Sequence, residues 1–143
     1  MKAFLIKAKL NTYASQQNEI IKEDGSRELT FQEGKYSYQD IYFGSNPFIG
    51  QEIVFEKNKP IWGMNYYGQA KTIAVYQFLK EALRQVTEDL PFRGPEEFSR
   101  EDWQYKNQVE GDLNFFKGKE QIFHQGKLVY ELEYSGGKIE RLS

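Results

Sequence analysis

Two glutamates, Glu52 and Glu120, occupy matching positions in two similar segments of this sequence. Segments 46–68 and 114–136 align without a gap at an offset of 68 positions, and eight of the 23 aligned residues are identical. Segments of ordinary composition share about one or two identities over this length by chance. We interpret the match as an internal duplication, which predicts the same structural environment for both carboxylates.

Each segment has the alternating pattern of a β-hairpin. Glu52 has the same parity as Phe48 in the first strand of its segment, so both side chains point to one face. Glu120 and Phe116 repeat this arrangement in the second segment. Both carboxylates are therefore expected in an aromatic interior, where each must be partnered, protonated or solvated in a cavity. Arg93 and the tyrosine hydroxyl groups are the natural partners.

Three hypotheses account for the two carboxylates. In the first, each accepts hydrogen bonds from backbone N–H groups or a tyrosine and has a structural role. In the second, they hold a cationic or hydroxylated ligand against aromatic walls. In the third, they are the acid and base of a hydrolase or isomerase. The spacing does not show that the two carboxylates approach each other, so all three hypotheses stay open.

A ligand-binding interior is predicted from the side chains that share a buried face with the glutamates, together with one cation. Tyrosine and tryptophan offer flat apolar surface with a polar tip, and the carboxylates set the charge preference. Arg93 lies in a turn made rigid by Pro95, which is typical of a carboxylate clamp. The predicted ligand-binding residues are Glu52, Glu120, Tyr38, Asp40, Tyr42, Trp62, Tyr66, Arg93, Tyr130 and Tyr134.

Hydrophobic periodicity predicts the elements that position these residues. Between the two segments, apolar residues recur three and four positions apart, which predicts a helix over residues 70–86. Alternation over residues 36–44 predicts a strand before the first hairpin. The other predicted elements are strands near 19–22 and 28–31 and helices at 2–13 and near 96–103.

These elements predict an α+β fold in which a curved antiparallel sheet is built from two pseudo-symmetric β-hairpin units bridged by a central helix. The length of 143 residues is enough for one domain with a core and too short for two ordinary ones. We therefore expect residues 1–143 to form a single domain.

Composition excludes several classes of function. The sequence has no cysteine and one histidine, His124, which excludes disulfides, thiolate nucleophiles and sites that need two imidazoles. A net charge of −2 argues against nucleic acid as a direct partner. The sequence has no apolar run of membrane-spanning length and no signal-peptide pattern, so we expect a cytoplasmic protein without membrane contact. No metal or cofactor motif is present, and neither group is expected.

Several motifs spread over nearly the whole chain carry a family resemblance. They are Phe4-Leu5-Ile6-Lys7-Ala8-Lys9, Tyr38-x-Asp40-x-Tyr42-x-Gly44, Phe48-x-Gly50-x-Glu52, Trp62-x-Met64-Asn65-Tyr66-x-Gly68, Arg93-Gly94-Pro95, Phe116-x-Gly118-x-Glu120 and Tyr130-Glu131-Leu132-x-Tyr134. Together they resemble a bacterial family known as domain of unknown function 5680. Its members occur alone or attached behind helix-turn-helix DNA-binding domains, as in regulators whose second domain senses a small molecule. The resemblance implies a free-standing module of that kind.

We therefore predict a small-molecule-binding or sensor module and favour a function other than catalysis. The small molecule is the expected partner, and either a homodimer or a regulator is left open as a further one. An acid/base enzyme that uses Glu52 and Glu120 and a purely structural or interaction domain are the alternatives.

Overall fold

The computed structural model describes residues 1–12 and 19–142. The elements of this part of the chain are α1 (Lys2–Asn11), β1 (Ile20–Ile21), β2 (Ser26–Glu33), β3 (Tyr36–Gly44), β4 (Phe48–Glu56), β5 (Lys59–Ala70), α2 (Val75–Leu83), β6 (Glu97–Arg100), β7 (Trp103–Asp112), β8 (Phe115–His124) and β9 (Lys127–Lys138).

The strands form one sheet in the order β1-β2-β3-β4-β5-β9-β8-β7-β6, and every neighbouring pair is antiparallel. The order is linear, so the sheet is not closed into a barrel, and β1 and β6 are its edges in the described part of the chain. The second strands of the two hairpins, β5 and β9, pair with each other in the middle. A largely antiparallel sheet with two helices confirms the predicted α+β class.

The hairpins β4–β5 and β8–β9 place their glutamates at matching register positions. Glu52 lies opposite Met64. Glu120 lies opposite Leu132, each being 68 positions further along the chain. In both hairpins the register shifts only after the second residue that follows the glutamate, on the side of the turn. The bulges therefore leave the inward parity of both glutamates intact.

Both hairpin turns use the left-handed backbone conformation. Asn58 has a φ of 69°, and Gly126 at the matching position has a φ of 77°. Asparagine and glycine tolerate this conformation better than other residues, so they fix the short turns that set the strand registers.

One hydrophobic core contains the inward face of the sheet and the apolar sides of both helices. Within it, the ring of Trp62 on β5 stacks on that of Phe116 on β8, with centroids 5.6 Å apart. Full burial of one such aromatic side chain is worth about 2–3 kcal/mol. The fully or nearly fully buried aromatic residues of the sheet are Tyr38, Trp62, Tyr66, Tyr105, Phe116, Tyr130 and Tyr134.

The predicted helix over residues 70–86 is too long. β5 continues to Ala70, which pairs with Tyr130 of β9, and helix α2 covers only Val75–Leu83. The apolar periodicity of the sequence continued through the connection because Ile73 fits the pattern by residue type. In the structure Ile73 is 77% exposed, so it does not belong to a buried helical face. Pairing within the sheet therefore takes precedence over helical periodicity at the start of this segment.

The predicted helix near 96–103 is wrong. Residues Glu97–Arg100 form strand β6, which pairs with the start of β7. Glu101 takes a φ of 55° in the turn between the two strands, a conformation incompatible with a continuous helix. Strand β7, which lies next to β8, was not predicted from the sequence, although it carries two polar residues of the site described below.

The remaining predicted elements are confirmed with adjusted bounds. The amino-terminal helix covers Lys2–Asn11, and the predicted last residue, Tyr13, lies outside the described residues. The strand near 28–31 extends over Ser26–Glu33, and the one near 19–22 is the two-residue β1.

Candidate functional site

Five charged side chains lie in the core of the described part of the chain, and none of them is more than 4% exposed. They are the carboxylates Asp40, Glu52 and Glu120 and the cations Lys9 and Arg93. Buried ionised groups are stable only when they are paired and hydrogen-bonded. With every group ionised, this set has one carboxylate more than it has cations.

Glu120 accepts four hydrogen bonds. Arg93 donates from Nε to Oε2 and from Nη2 to Oε1 at 3.0 Å each, which is a bidentate pair. Tyr130 donates to Oε1 at 2.7 Å, and Tyr105 donates to Oε2 at 2.5 Å. The predicted carboxylate clamp is confirmed, and it fixes the loop after α2 to strands β7, β8 and β9.

Tyr105 and Tyr130 remain protonated donors to this carboxylate. Burial is the main reason that the pKa of each phenol is raised well above its ordinary value, and the negative charge of Glu120 raises it further. Tyr105 also accepts a hydrogen bond from the backbone N–H of Gly94 at 3.0 Å. The hydroxyl group of Tyr105 therefore links β7 to the backbone of the turn that carries Arg93.

Glu52 is paired with a cation from the amino-terminal helix. Nζ of Lys9 lies 2.8 Å from Oε1 of Glu52, and it also donates to the backbone carbonyl of Phe92. Burial removes water from this ammonium group and lowers the pKa of Lys9, while the charge of Glu52 opposes the decrease. Oε2 of Glu52 is buried and has no hydrogen-bond partner among the residues that the structure describes.

Asp40 lies directly opposite Glu52 in the pairing of β3 with β4, so the two carboxyl groups are neighbours on the inward face. Tyr66 donates to Oδ1 of Asp40 at 2.5 Å. Burial of the carboxyl group, followed by repulsion from Glu52, raises the pKa of Asp40 to about 7. Asp40 is therefore close to half protonated at neutral pH.

Gly50 makes the contact between Tyr66 and Asp40 possible. Gly50 on β4 lies opposite Tyr66 on β5, and a methyl group at Gly50 would overlap the phenol of Tyr66. The ring crosses β4 at this gap, so its hydroxyl group reaches Asp40 on β3. A side chain on β5 thus contacts a residue two strands away.

The second hairpin repeats this arrangement with an amide. A methyl group at Gly118 would overlap the ring of Tyr134 on β9. The hydroxyl group of Tyr134 donates to Oδ1 of Asn107 at 2.7 Å, and Asn107 lies opposite Glu120. Nδ2 of Asn107 donates to the carbonyl of Gly94 at 3.0 Å. The residue opposite the glutamate is thus the titratable Asp40 beside the first hairpin and the neutral Asn107 beside the second.

A cavity of about 330 Å³ lies beside Asp40, and α2 and strands β2 to β5 contribute to its walls. Its polar lining comes from Asp40, Tyr66 and Arg93, with Lys80 contributed by α2. The exposed residues Ser45 and Ile73 also line it and mark its side toward solvent. The aromatic and aliphatic side chains of the lining are Leu29, Tyr42, Phe48, Ile73, Tyr76, Leu79 and Leu83.

Asn46, in the loop between β3 and β4 at the rim of this cavity, contacts the end of β5 and the start of α2. Its side chain exchanges two hydrogen bonds of 2.8 Å with the backbone of Ala70. Tyr76 of α2 donates to Oδ1 of Asn46 at 3.0 Å. The loop between β3 and β4 is therefore fastened to the start of α2 by one amide.

A larger and more polar cleft of about 1160 Å³ lies beside Asn107 and Tyr134. Charged side chains contribute to its lining, among them Glu110, Lys117 and Glu133. Charges of both signs surround it, and Asp40, Glu52 and Glu120 do not contribute to its lining. The smaller cavity is therefore the one that combines a buried carboxyl group with apolar walls.

Comparison with known families gives one match, which covers most of the residues just described. A family model described as Domain of unknown function (DUF5680) matches residues 40–139. The chain belongs to this family. No curated protein and no solved structure matches the chain. The DUF5680 match begins at Asp40 and includes Glu52, Arg93 and Glu120, whereas Lys9 lies before it.

Of the ten predicted ligand-binding residues of this DUF5680 chain, five line one or both of these spaces and five line neither; Tyr66 lines both. Four of them line the smaller cavity: Asp40, Tyr42, Tyr66 and Arg93. Tyr66 and Tyr134 line the larger cleft. The other five, which line neither space, are Glu52, Glu120, Tyr38, Trp62 and Tyr130, all of them buried. The two glutamates lie in an aromatic interior, as the sequence predicts, but neither of them lines either of these two spaces.

Sequence analysis missed Tyr105 and Asn107, although a signal for both was present. At an offset of 67 positions they match Tyr38 and Asp40, in a stretch that ends with Gly111. The sequence similarity between the two segments therefore extends upstream of residue 46 with a one-residue change of offset. A search that allowed one gap would have found it.

Lys9 and Asn46 were missed for different reasons. Lys9 follows Leu5 by four residues, which places it on the buried side of α1, but a lysine there is ordinarily taken as a surface residue. Asn46 is the first residue of the first similar segment, but its contacts with Ala70 and Tyr76 depend on the folded chain and could not be predicted.

The described residues contain neither a metal-binding cluster nor a helix that could span a membrane. No group of three or more histidine, aspartate or glutamate side chains in the described ranges is arranged to hold a metal ion. Neither α1 nor α2, the helices in the described part of the chain, is long and apolar enough to cross a membrane.

Proposed function

We propose that this protein is a small-molecule-binding module whose ligand occupies the cavity next to Asp40. The observation that carries the proposal is the meeting of Asp40, Tyr66 and Arg93 in the wall of a mainly apolar space of about 330 Å³. Cavities of roughly 300–1,000 Å³ with apolar walls and a few convergent polar groups are typical of sites for small ligands.

In this proposal the two glutamates position the site and do not contact the ligand. Glu120 holds Arg93 at the cavity wall through its bidentate pair. Glu52 raises the pKa of Asp40 from the adjacent strand, together with burial. The ligand itself contacts Asp40 and the aromatic walls.

Binding is favoured over acid/base chemistry by the two glutamates because Glu120 has no free acceptor position. Its four hydrogen bonds come from Arg93, Tyr105 and Tyr130, and they occupy both carboxyl oxygens. A catalytic acid or base must exchange a proton with a substrate within hydrogen-bond reach. Glu120 lies outside both cavity linings, so it is poorly placed for that exchange.

We also propose that the module arose by duplication of a β-hairpin unit and that only one copy kept a titratable group at the binding position. Matching registers, the paired glutamates and the two glycine gaps support the duplication. We expect a cytoplasmic protein that passes ligand occupancy to a partner, either a regulator or a second copy of the chain.

A library of small aromatic and aliphatic fragments, screened by the change in melting temperature, tests the proposal. Ser45 is exposed at the cavity, whereas Ser99 is exposed on β6 and does not line it. We expect fragments that stabilise the wild type and Ser99→Trp, and that lose their effect in Ser45→Trp, where the indole blocks the opening. Equal stabilisation of both variants, or no stabilising fragment for the wild type, would contradict the proposal.

A further inference from the structure

We propose that the ligand of this cavity is an organic amine whose ammonium group pairs with the carboxylate of Asp40. This inference rests on the proposed function and specifies the class of its ligand. It also assigns the second oxygen of Asp40, Oδ2, as the acceptor of the ligand's hydrogen bond.

The first step of the argument is the charge balance of the core. Glu52 is paired with Lys9, and Glu120 is paired with Arg93, each at 3.0 Å or less. Asp40 is the third buried carboxyl group among the described residues, and it forms no ion pair with another described residue. An ionised Asp40 therefore leaves one negative charge uncompensated at the cavity wall, which a cationic ligand would neutralise.

The second step is the hydrogen bonding of Asp40. Tyr66 donates to Oδ1, and no other described residue donates to this carboxyl group. The side chain is 2% exposed and contributes to the cavity lining. A buried acceptor that faces a cavity is expected to be paired by whatever fills it.

The third step excludes an anionic ligand. Arg93 is the buried cation of the cavity lining, but its Nε and Nη2 are engaged by Glu120. An anion would compete with Glu120 for this guanidinium and would be repelled by Asp40. Lys80 of α2 is only partly buried, and its long side chain can extend its ammonium group into water.

The remaining walls define the body of the amine. Rings of Phe48, Tyr66 and Tyr76 line the cavity together with leucines from β2 and α2. Aromatic faces attract an ammonium group and also bury an apolar body. The chemistry of the site therefore fits a primary amine on a compact aromatic or branched aliphatic group.

Other titratable groups around Asp40 set the pH range in which this amine binds. Glu52 on β4 disfavours the ionised carboxylate, while Lys9 from α1, Arg93 and the hydroxyl group of Tyr66 favour it. An ammonium group in the cavity would be a further group that favours the ionised form of Asp40. Binding below neutral pH should therefore release a proton from Asp40.

Calorimetric titration with 2-phenylethylamine and with the neutral isostere 2-phenylethanol tests the inference. At pH 8 we expect the amine, which is protonated there, to bind about 10- to 100-fold more tightly than the alcohol. This preference should decrease toward pH 5.5, where Asp40 is protonated. Near pH 6.5, the heat of amine binding should depend on the ionisation enthalpy of the buffer, because a proton is released.

Two variants decide whether Asp40 is responsible. Asp40→Asn keeps an acceptor for Tyr66, as Asn107 provides for Tyr134, and should remove the preference for the amine while the alcohol still binds. Asp24→Asn changes an exposed carboxylate in a turn and should retain the preference.

The outcomes separate this inference from the proposed function. If the alcohol binds as tightly as the amine at pH 8, or if Asp40→Asn retains the preference, the amine class is wrong and the binding function stands. If neither probe binds but fragments of other chemistry are lost in Ser45→Trp, the amine class is again wrong. If no compound binds at the cavity, both proposals fail.

Discussion

Asp40 and Asn107 occupy matching positions opposite the two glutamates and accept the same hydrogen bond from a tyrosine. They differ in whether the group can ionise. The amide of Asn107 donates to the carbonyl of Gly94 and is satisfied within the protein, whereas the carboxyl group of Asp40 faces a cavity. A carboxyl group that is costly to bury and accepts one hydrogen bond from the described residues supports the proposed ligand site.

Asp40 should make the folded protein less stable as the pH rises. Its pKa is 3.8 in the unfolded chain and about 7 in the folded one, so the folded state holds this proton more tightly between these values. The stabilisation is complete below about pH 4 and is lost as the pH passes through about 7. We expect wild-type stability relative to Asp40→Asn to fall by about 2–4 kcal/mol between pH 4 and pH 8.

Urea denaturation of both proteins across this pH range measures the effect. Groups that do not interact with Asp40 contribute equally to both curves, so the difference reports Asp40 together with the neighbours to which it is coupled. A difference that stays constant with pH, or that increases in favour of the wild type toward pH 8, would contradict the assignment.

Tyr105 offers a second test at the scale of single residues. Tyr105→Phe removes a donor to Glu120 and an acceptor for the N–H of Gly94, both buried. We expect a loss of about 2–4 kcal/mol in the free energy of unfolding. Tyr67→Phe, at a residue that is 52% exposed, should change it by less than about 0.5 kcal/mol. Equal effects of the two variants would contradict the expected contribution of the hydrogen bonds of Tyr105 to the free energy of unfolding.

At the scale of elements, the glycine gaps in β4 and β8 allow tyrosines to reach across a strand. Gly50 is required because the phenol of Tyr66 occupies the space of a side chain there. The hairpins and the inward parity of Glu52 could be predicted from alternation alone. The crossing of a strand by a ring could not, because it depends on which residue of the neighbouring strand lies opposite.

Gly50→Ala should displace the ring of Tyr66 and weaken its bond to Asp40. We expect a destabilisation of about 1–3 kcal/mol from overpacking. In a Tyr66→Leu background the same glycine substitution should cost clearly less, because the obstructing hydroxyl group is absent. A double-mutant cycle of unfolding free energies measures this coupling, and additive effects would contradict the proposed role of the gap.

The elements that were predicted incorrectly share a physical cause. The stretch near 96–103 is short and rich in charged residues, so its local pattern does not distinguish a strand from a helix. It forms β6 because β7 supplies a pairing partner. Similarly, the start of the predicted central helix pairs with β9 through Ala70. Local periodicity therefore predicts an element well where burial of that element's own apolar face determines its conformation, and poorly where pairing with a distant strand does.

At the scale of the whole molecule, two ion pairs connect segments that are far apart in the sequence. Lys9 from α1 contacts Glu52 and the carbonyl of Phe92, and the next residue, Arg93, contacts Glu120. The amino-terminal helix and the loop after α2 are thereby joined to both hairpins. The sequence indicated the glutamates and Arg93, but it did not indicate which cation belonged to which carboxylate, since that pairing depends on the whole fold.

Lys9→Met should destabilise the protein strongly, because it leaves Glu52 buried without its cation. We expect a loss of about 3–5 kcal/mol in unfolding free energy, most of which the double variant Lys9→Met/Glu52→Gln should restore. The matched control is Lys7→Met on the same helix. Lys7 pairs with Glu33, and both side chains are more than half exposed. It should cost less than about 1 kcal/mol. Failure of the double variant to recover stability would contradict the ion-pair account.

The most direct test of the central claim is the titration of Asp40 itself, followed through its carboxyl ¹³C signal with and without 2-phenylethylamine. The account predicts a midpoint near pH 7 in the free protein, and a lower midpoint when the amine is present. In Ser45→Trp the amine should leave the midpoint unchanged. A midpoint near pH 4 in the free protein, or one that the amine does not move, would contradict the claim that Asp40 is a buried carboxyl group awaiting a cationic ligand.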